Sequence, residues 1–260
     1  MAAIQQVKGL DRFGRGVLGF LEEAGRVVLL FSSTLRWVLR GVLEWRQTVL
    51  QMARIGVESL PIILVTGTFA GMVLAFQTSK QLIALGAPGF IGGAVAVSMA
   101  REAAPVFTAI TVAGRISAGI AAELGTMAVT EQIDALRVMA TNPVRFLVVP
   151  RVLAGVTMQP LLTIFANVAG LVGGGVIAAL AGVQLETYGG SVQRFLRLYD
   201  FMCGLLKAAA FGIIITMIGS YRGLATSGGA EGVGRAATAA VVVSIVLILV
   251  TNYFLDVVLF

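Results

Sequence analysis

The chain has no histidine and a single cysteine, Cys203. Without histidine there is no Ser-His-Asp triad and no Cys/His zinc site. One cysteine cannot close an intrachain disulfide. The sequence also lacks the G-x-x-x-x-G-K-[ST] phosphate loop, so it does not hydrolyse ATP by that route. There is no G-x-S-x-G nucleophile elbow either. Charge is scarce: Asp, Glu, Lys and Arg make up 12% of 260 residues, against 58% hydrophobic. A typical soluble domain carries roughly a quarter charged residues. A mean hydropathy of +0.94 is more than a soluble fold of this size could bury, so the solvent is expected to be lipid. Residues 1–57 hold no compact apolar core followed by a small-residue cleavage site, so no signal peptide is expected there.

Five apolar runs are long enough to cross a bilayer. They cover residues 59–79, 90–120, 152–185, 201–220 and 236–255. Gly86, Pro88 and Gly89 break the chain between the first two, and Thr141, Asn142 and Pro143 mark a turn before the third. Ahead of the spans lies a charge-rich region. In it Leu10, Phe13, Val17, Phe20, Leu21, Ala24, Val28 and Phe31 recur at steps of three and four. That is the apolar stripe of an amphipathic helix. Two placements fit it: lying in the membrane surface, or packed on the rest of the protein. The fold expected is all-α and integral to the membrane: an N-terminal amphipathic interfacial region over residues 1–58, then a five-span domain over residues 59–260.

The net charge of +6 would raise nucleic-acid binding in a soluble protein. Here the asymmetry of Lys and Arg between the loops accounts for it, and no nucleic-acid partner is expected. With the N-terminus in the cytoplasm, the inner segments hold nearly all of these residues. The outer segments then keep only Lys80, Arg194 and Arg197. The orientation expected is N-terminus inside and C-terminus outside.

Ionisable residues at membrane depth are costly and mark function by default. Four qualify: Arg101, Glu102, Lys207 and Asp256. Counting residues puts Arg101 and Glu102 near mid-span, at ~1.5 Å per residue. They are neighbours on a helix, so they point in different directions. Both are candidates for a substrate cavity, Glu102 foremost. Lys207 and Asp256 fall at similar depth near the outer ends of spans four and five, where they could form a buried ion pair that fixes packing. Between spans two and three, Glu123, Glu131, Asp134 and Arg137 share a polar stretch with Ile133 and Leu136. It reads either as a short amphipathic helix on the inner face or as a solvated loop.

Several segments together resemble one family. They are Arg101-Glu102-Ala103-Ala104-Pro105-Val106, Ala113-Gly114-Arg115, Ala121-Ala122-Glu123-Leu124-Gly125-Thr126-Met127, Thr130-Glu131-Gln132-Ile133-Asp134-Ala135-Leu136-Arg137-Val138-Met139 and Asn142-Pro143. In this run the chain resembles the MlaE (YrbE) permeases, the membrane subunits of bacterial lipid ABC transporters. One departure is Ala103-Ala104, where the family commonly has Leu-Gly. The resemblance implies a homodimer with a phospholipid cavity between the copies. It implies that residues 123–139 form the coupling helix, with Glu123, Glu131, Asp134 and Arg137 facing a separate ABC ATPase. An MCE-domain substrate-binding protein, and often a STAS-domain protein, would complete the complex in a bacterial inner membrane. No cofactor is implied for this chain, since ATP would be bound by the partner. A gradient-driven transporter using the same four charges, or a non-transporting scaffold, are the rival readings.

Overall fold

The computed structural model describes residues 2–41 and 44–260, with the side chains of residues 2–17 and of Phe20 outside the described part. The first members of the amphipathic stripe, Leu10 to Val17 and Phe20, with the charges Lys8, Asp11, Arg12 and Arg15, therefore lie outside the described residues.

Every regular element among the described residues is helical. Helix α1 spans Ala2–Leu39 and α2 spans Trp45–Ile55. Helix α3 spans Leu60–Ala84. A long composite rod follows, built from α4 (Ile91–Ser98), α5 (Ala104–Val112) and α6 (Ala118–Val129). π-helical turns at Met99–Ala103 and Ala113–Ser117 join its pieces. Then come α7 (Gln132–Val138), α8 (Val149–Leu180), α9 (Leu185–Phe195), α10 (Leu198–Leu224) and α11 (Gly229–Leu259). Five of the rods are long and apolar enough to cross a membrane: Trp45–Ala84, Pro88–Val129, Val144–Leu180, Leu198–Leu224 and Gly229–Leu259. The chain is a multi-pass, all-α membrane protein.

Span boundaries differ from the sequence expectation, for local reasons. Among the described residues, 1–58 hold two α-helices, and the second, α2, runs on into the first span. The third span was expected over 152–185, but its helix runs from Val144 to Leu180. It begins early because the Asn142 side-chain oxygen accepts from the N–H groups of Val144 (2.9 Å) and Arg145 (3.3 Å), closing the orphan donors of a helix start. Arg145 and Arg151 stand outside the apolar run, yet both belong to the helix and are paired, to Glu44 at 2.9 Å and to Glu123 at 3.1 Å.

The expected coupling helix over 123–139 is two pieces. Residues 123–129 complete the second span's rod, and only Gln132–Val138 forms a separate helix. Glu131 (φ 59°) and Ala140 (φ 56°) flank α7 in the left-handed region, which ends a helix because it turns the chain off the axis.

The core is a helix bundle closed by small residues. Along α3, Gly67, Gly71, Ala75 and Ser79 are buried on one face against α8. A Cβ on Gly71 would sit 1.9 Å from the backbone oxygen of Gly170, so the two backbones touch. In lipid, where apolar side chains gain nothing by leaving the solvent, such close backbone packing holds helices together. Helix α1 lies on the ends of spans three and four. Leu30 packs on Val148, Val152 and Met217, and Arg222 pairs with Glu23 at 2.6 Å. Its Leu21, Val28 and Phe31 face outward. Both placements of the amphipathic helix are thus compatible with its described half. Helices α7 and α9 lie at opposite ends of the bundle.

Candidate functional site

The polar groups at membrane depth gather in one place, toward the α9 end. Lys207 is fully buried on α10. Its Nζ donates to Glu102 Oε1 at 2.6 Å, to Asp256 Oδ1 at 2.7 Å and to the backbone oxygen of Arg101 at 2.8 Å. All three ammonium protons are therefore used. Asn252, one turn before Asp256 on α11, donates to Glu102 Oε2 at 2.9 Å and to Asp256 Oδ2 at 3.1 Å. Arg101 grips Asp200 Oδ1 through two nitrogens, at 3.0 and 2.7 Å, and its guanidinium lies 4.3 Å from the centre of the Phe260 ring. Asp200 also accepts from the backbone N–H of Arg197 at 3.3 Å, helping to cap α10.

Backbone chemistry explains why these residues meet. Pro105 has no N–H, so the carbonyl one turn back, that of Arg101, loses its helical donor. That carbonyl is the one Lys207 reaches. Gly204, one turn before Lys207, lets α10 approach: a Cβ there would stand 2.1 Å from Ala100 O. The π-helical turn at Met99–Ala103 inserts a residue and re-aims the Arg101-Glu102 pair. Arg101 then faces α10 and the C-terminus, while Glu102 faces α10 and α11.

Sequence counting set Arg101 and Glu102 near mid-span. They stand level with Lys207 and with Asp256, which is close to the α11 end at Leu259. The second span's rod has 42 residues, roughly 63 Å at ~1.5 Å each, about twice the hydrocarbon thickness. Lys207 and Asp256 are in contact, and Glu102 joins them. Three members of the cluster were not singled out from sequence: Asp200, Asn252 and Pro105. Two of them left a signal. Pro105 four residues after Arg101 announces an orphan carbonyl, and Asn252 stands one helical turn from Asp256.

The cluster has a closed side and an open side. Lys207 and Asp200 are sealed, whereas the side chains of Arg101 and Glu102 keep 38% and 45% of their surface. Around them α11 turns Val246, Leu249, Val250, Tyr253 and Val257 outward.

The residues expected to face an ATPase are divided. On α7, Asp134 and Arg137 pair with each other at 2.7 Å and are mostly exposed, beside exposed Glu131, Val138 and Met139. Glu123 is elsewhere, on α6, held by Arg54 and Arg151. No group of His, Cys, Asp and Glu that could hold a metal ion occurs among the described residues.

A family model described as Permease MlaE matches residues 48–258, most of the chain, including the charge cluster and α7. The chain belongs to the MlaE permease family. It is similar to "Probable ABC transporter permease protein slr1045" of Synechocystis, at 44% identity over 84% of each chain. "Protein TRIGALACTOSYLDIACYLGLYCEROL 1, chloroplastic" of Arabidopsis thaliana is 39% identical over 90% of this chain and 65% of that one. "Probable ABC transporter permease protein RT0041" of Rickettsia typhi is 38% identical over 95% and 96%. As an MlaE permease, this chain is the membrane-spanning permease subunit of an ABC transporter.

Proposed function

We propose that this permease carries a glycerolipid, with phospholipid as the first expectation, through a cavity formed between two identical copies and powered by a separate ABC ATPase. The observation that carries this reading is the half-open charge cluster. Arg101 and Glu102 expose polar surface on a helical face that is otherwise apolar. Ionised groups facing hydrocarbon are expensive, so that face calls for a polar occupant and a second protein surface. A lipid headgroup with its acyl chains matches a few polar groups set in an apolar wall. The name of the chloroplast relative, which contains a galactolipid, points the same way.

In this reading the α7 end is cytoplasmic and the α9 end faces outward, an orientation supported by the distribution of Lys and Arg. The membrane is the bacterial inner membrane, in keeping with the bacterial relatives. Helix α7 docks on the ATPase with Glu131, Asp134 and Arg137. An MCE-domain protein on the outer side, and a STAS-domain protein on the inner side, would complete the assembly. ATP is bound and hydrolysed by the partner, and closure of the ATPase pair reshapes the cavity.

The test is ATP-dependent lipid transfer by the reconstituted complex. Glu102→Ala is expected to lower transfer by about tenfold or more, equivalent to about 1.4 kcal/mol, with the complex still assembled. Wild-type transfer by that variant would overturn the role of Glu102. Transfer that proceeds without ATP would favour the gradient-driven alternative.

A further inference from the structure

Away from the charge cluster, a second ionic network lies at the α7 end, and Glu123 is its centre. Its Oε2 is 3.1 Å from Arg151 and 3.3 Å from Arg54, whose same nitrogen also reaches Oε1 at 3.3 Å. Arg151 sits on α8 with only 4% of its side chain exposed, and it also donates to Leu147 O at 2.6 Å. Among the described residues Glu123 is the only carboxylate paired with Arg151. Arg54 sits near the end of α2. One carboxylate thus joins the bases of the first, second and third spans.

The same corner is tied a second time. Arg115, in the π-helical turn Ala113–Ser117, pairs with Glu58 and donates to Ser59 Oγ at 2.8 Å. It also donates to the backbone oxygen of Arg54 at 3.1 Å. That oxygen is in the last turn of α2, where carbonyls lack helical donors. Arg54 is therefore held by its backbone from one side and by its side chain from the other.

We infer that Glu123 is a positioning residue that locks α6, and through it α7, to the bases of the first and third spans, so that displacement of α7 moves three spans together. This rests on the reading of α7 as the ATPase-docking element, and it gives Glu123 a task distinct from that of Glu131, Asp134 and Arg137. A guanidinium as buried as Arg151 demands a fixed partner, and a carboxylate engaged by two arginines from different spans has little freedom to meet a third protein. The network also lies within two helical turns of the Thr130-Glu131 break, where α6 hands over to α7.

The experiment uses the permease with its ATPase in vesicles of phosphatidylethanolamine and phosphatidylglycerol. It reads three quantities: ATPase co-purified per permease, lipid transferred per ATP hydrolysed, and the distance between spin labels at Val49→Cys on α2 and Val138→Cys on α7. The native Cys203 is buried, so labelling falls on the introduced sites. For Glu123→Gln the expected result is wild-type ATPase binding, lipid per ATP reduced roughly tenfold, and a broadened distance distribution. Glu123→Asp should recover most of the lost coupling. Arg54→Gln leaves the Glu123–Arg151 pair in place and removes a half-exposed side chain, so it folds and should lose a few-fold of coupling.

Loss of ATPase binding by a folded Glu123→Gln permease would overturn the inference in favour of a direct docking contact. So would wild-type lipid per ATP with unchanged label distances. If the unaltered permease binds no ATPase, the functional reading fails. The label distances still decide the lock: broadening in Glu123→Gln upholds it, and an unchanged distribution overturns it.

Discussion

Replacing Lys207 by methionine keeps the length and shape of the side chain and removes its charge. In the folded protein Lys207 is fully buried and serves three acceptors, the carboxylates of Glu102 and Asp256 and the carbonyl of Arg101, all within 2.8 Å. Without it two carboxylates share only Asn252, and the carbonyl freed by Pro105 has no donor. Removing one partner of a buried ion pair costs about 3–5 kcal/mol, chiefly because the remaining charge is stranded. At about 2–4 °C per kcal/mol, the melting temperature should fall by roughly 6–20 °C. The assay is built into the sequence. Cys203 is the sole cysteine, buried on α10 one turn before Lys207, so a thiol-reactive dye reports its exposure on heating in detergent. The triple variant Lys207→Met, Glu102→Gln, Asp256→Asn removes both stranded charges. It should return to within about 1–2 kcal/mol of wild type, because a buried ionic group replaced as a whole is nearly neutral. Lipid transfer should stay lost in both variants. A Lys207→Met protein melting within about 2 °C of wild type, or a triple variant no more stable than the single one, would refute the reasoning.

Gly71→Ala sets a small gain against a larger loss. Alanine improves helix propensity by about 1 kcal/mol, but its Cβ would meet the backbone of Gly170, which has no side chain to yield. The clash should win, with a net loss of about 1–3 kcal/mol and separation of α3 from α8, measured by the same thermal assay. Tyr188 on α9 is buried and its phenol is pushed up to about 12 by that burial. Since this lies above its ordinary value of about 10, the stability it lends is whole below pH ~10 and is lost as pH rises from 10 to 12. The tyrosinate absorbance step missing from Tyr188→Phe should therefore fall near pH 12, and a step near 10 would contradict the burial. Arg137→Glu reverses the exposed cation of α7 and is expected to reduce ATPase co-purification. Retention at wild-type levels would remove Arg137 from the docking surface.

Much of the fold could be read in the sequence because lipid makes the code simple. Backbone groups in hydrocarbon have no water to bond, and a helix is what satisfies them within a single segment, so an apolar run of about twenty residues reads as a helix. The number of spans and the location of their breaks follow from runs bounded by Gly86, Pro88, Asn142 and Pro143. The four charges Arg101, Glu102, Lys207 and Asp256 also stand out in sequence, since the first three interrupt apolar runs and the last directly follows one. Span ends were harder. Arg145 and Arg151 look like loop residues by composition and are helical because Glu44 and Glu123 neutralise them.

What tertiary structure alone decided is who meets whom. Sequence depth paired Lys207 with Asp256, but it could not bring Glu102 from another span to the same ammonium. That contact needs the π-helical turn at Met99–Ala103 and the close approach at Gly204, which depend on how two helices press together. Likewise the stretch around residues 123–139 carries one run of charges in sequence, yet the left-handed turn at Glu131 divides it. Glu123, itself partly exposed, is held by two arginines from distant parts of the chain, while Asp134 and Arg137 pair with each other. Periodicity reports which face of a helix is apolar. It carries no information on the partner across the interface, and for a charge in a membrane the partner settles what the residue can do.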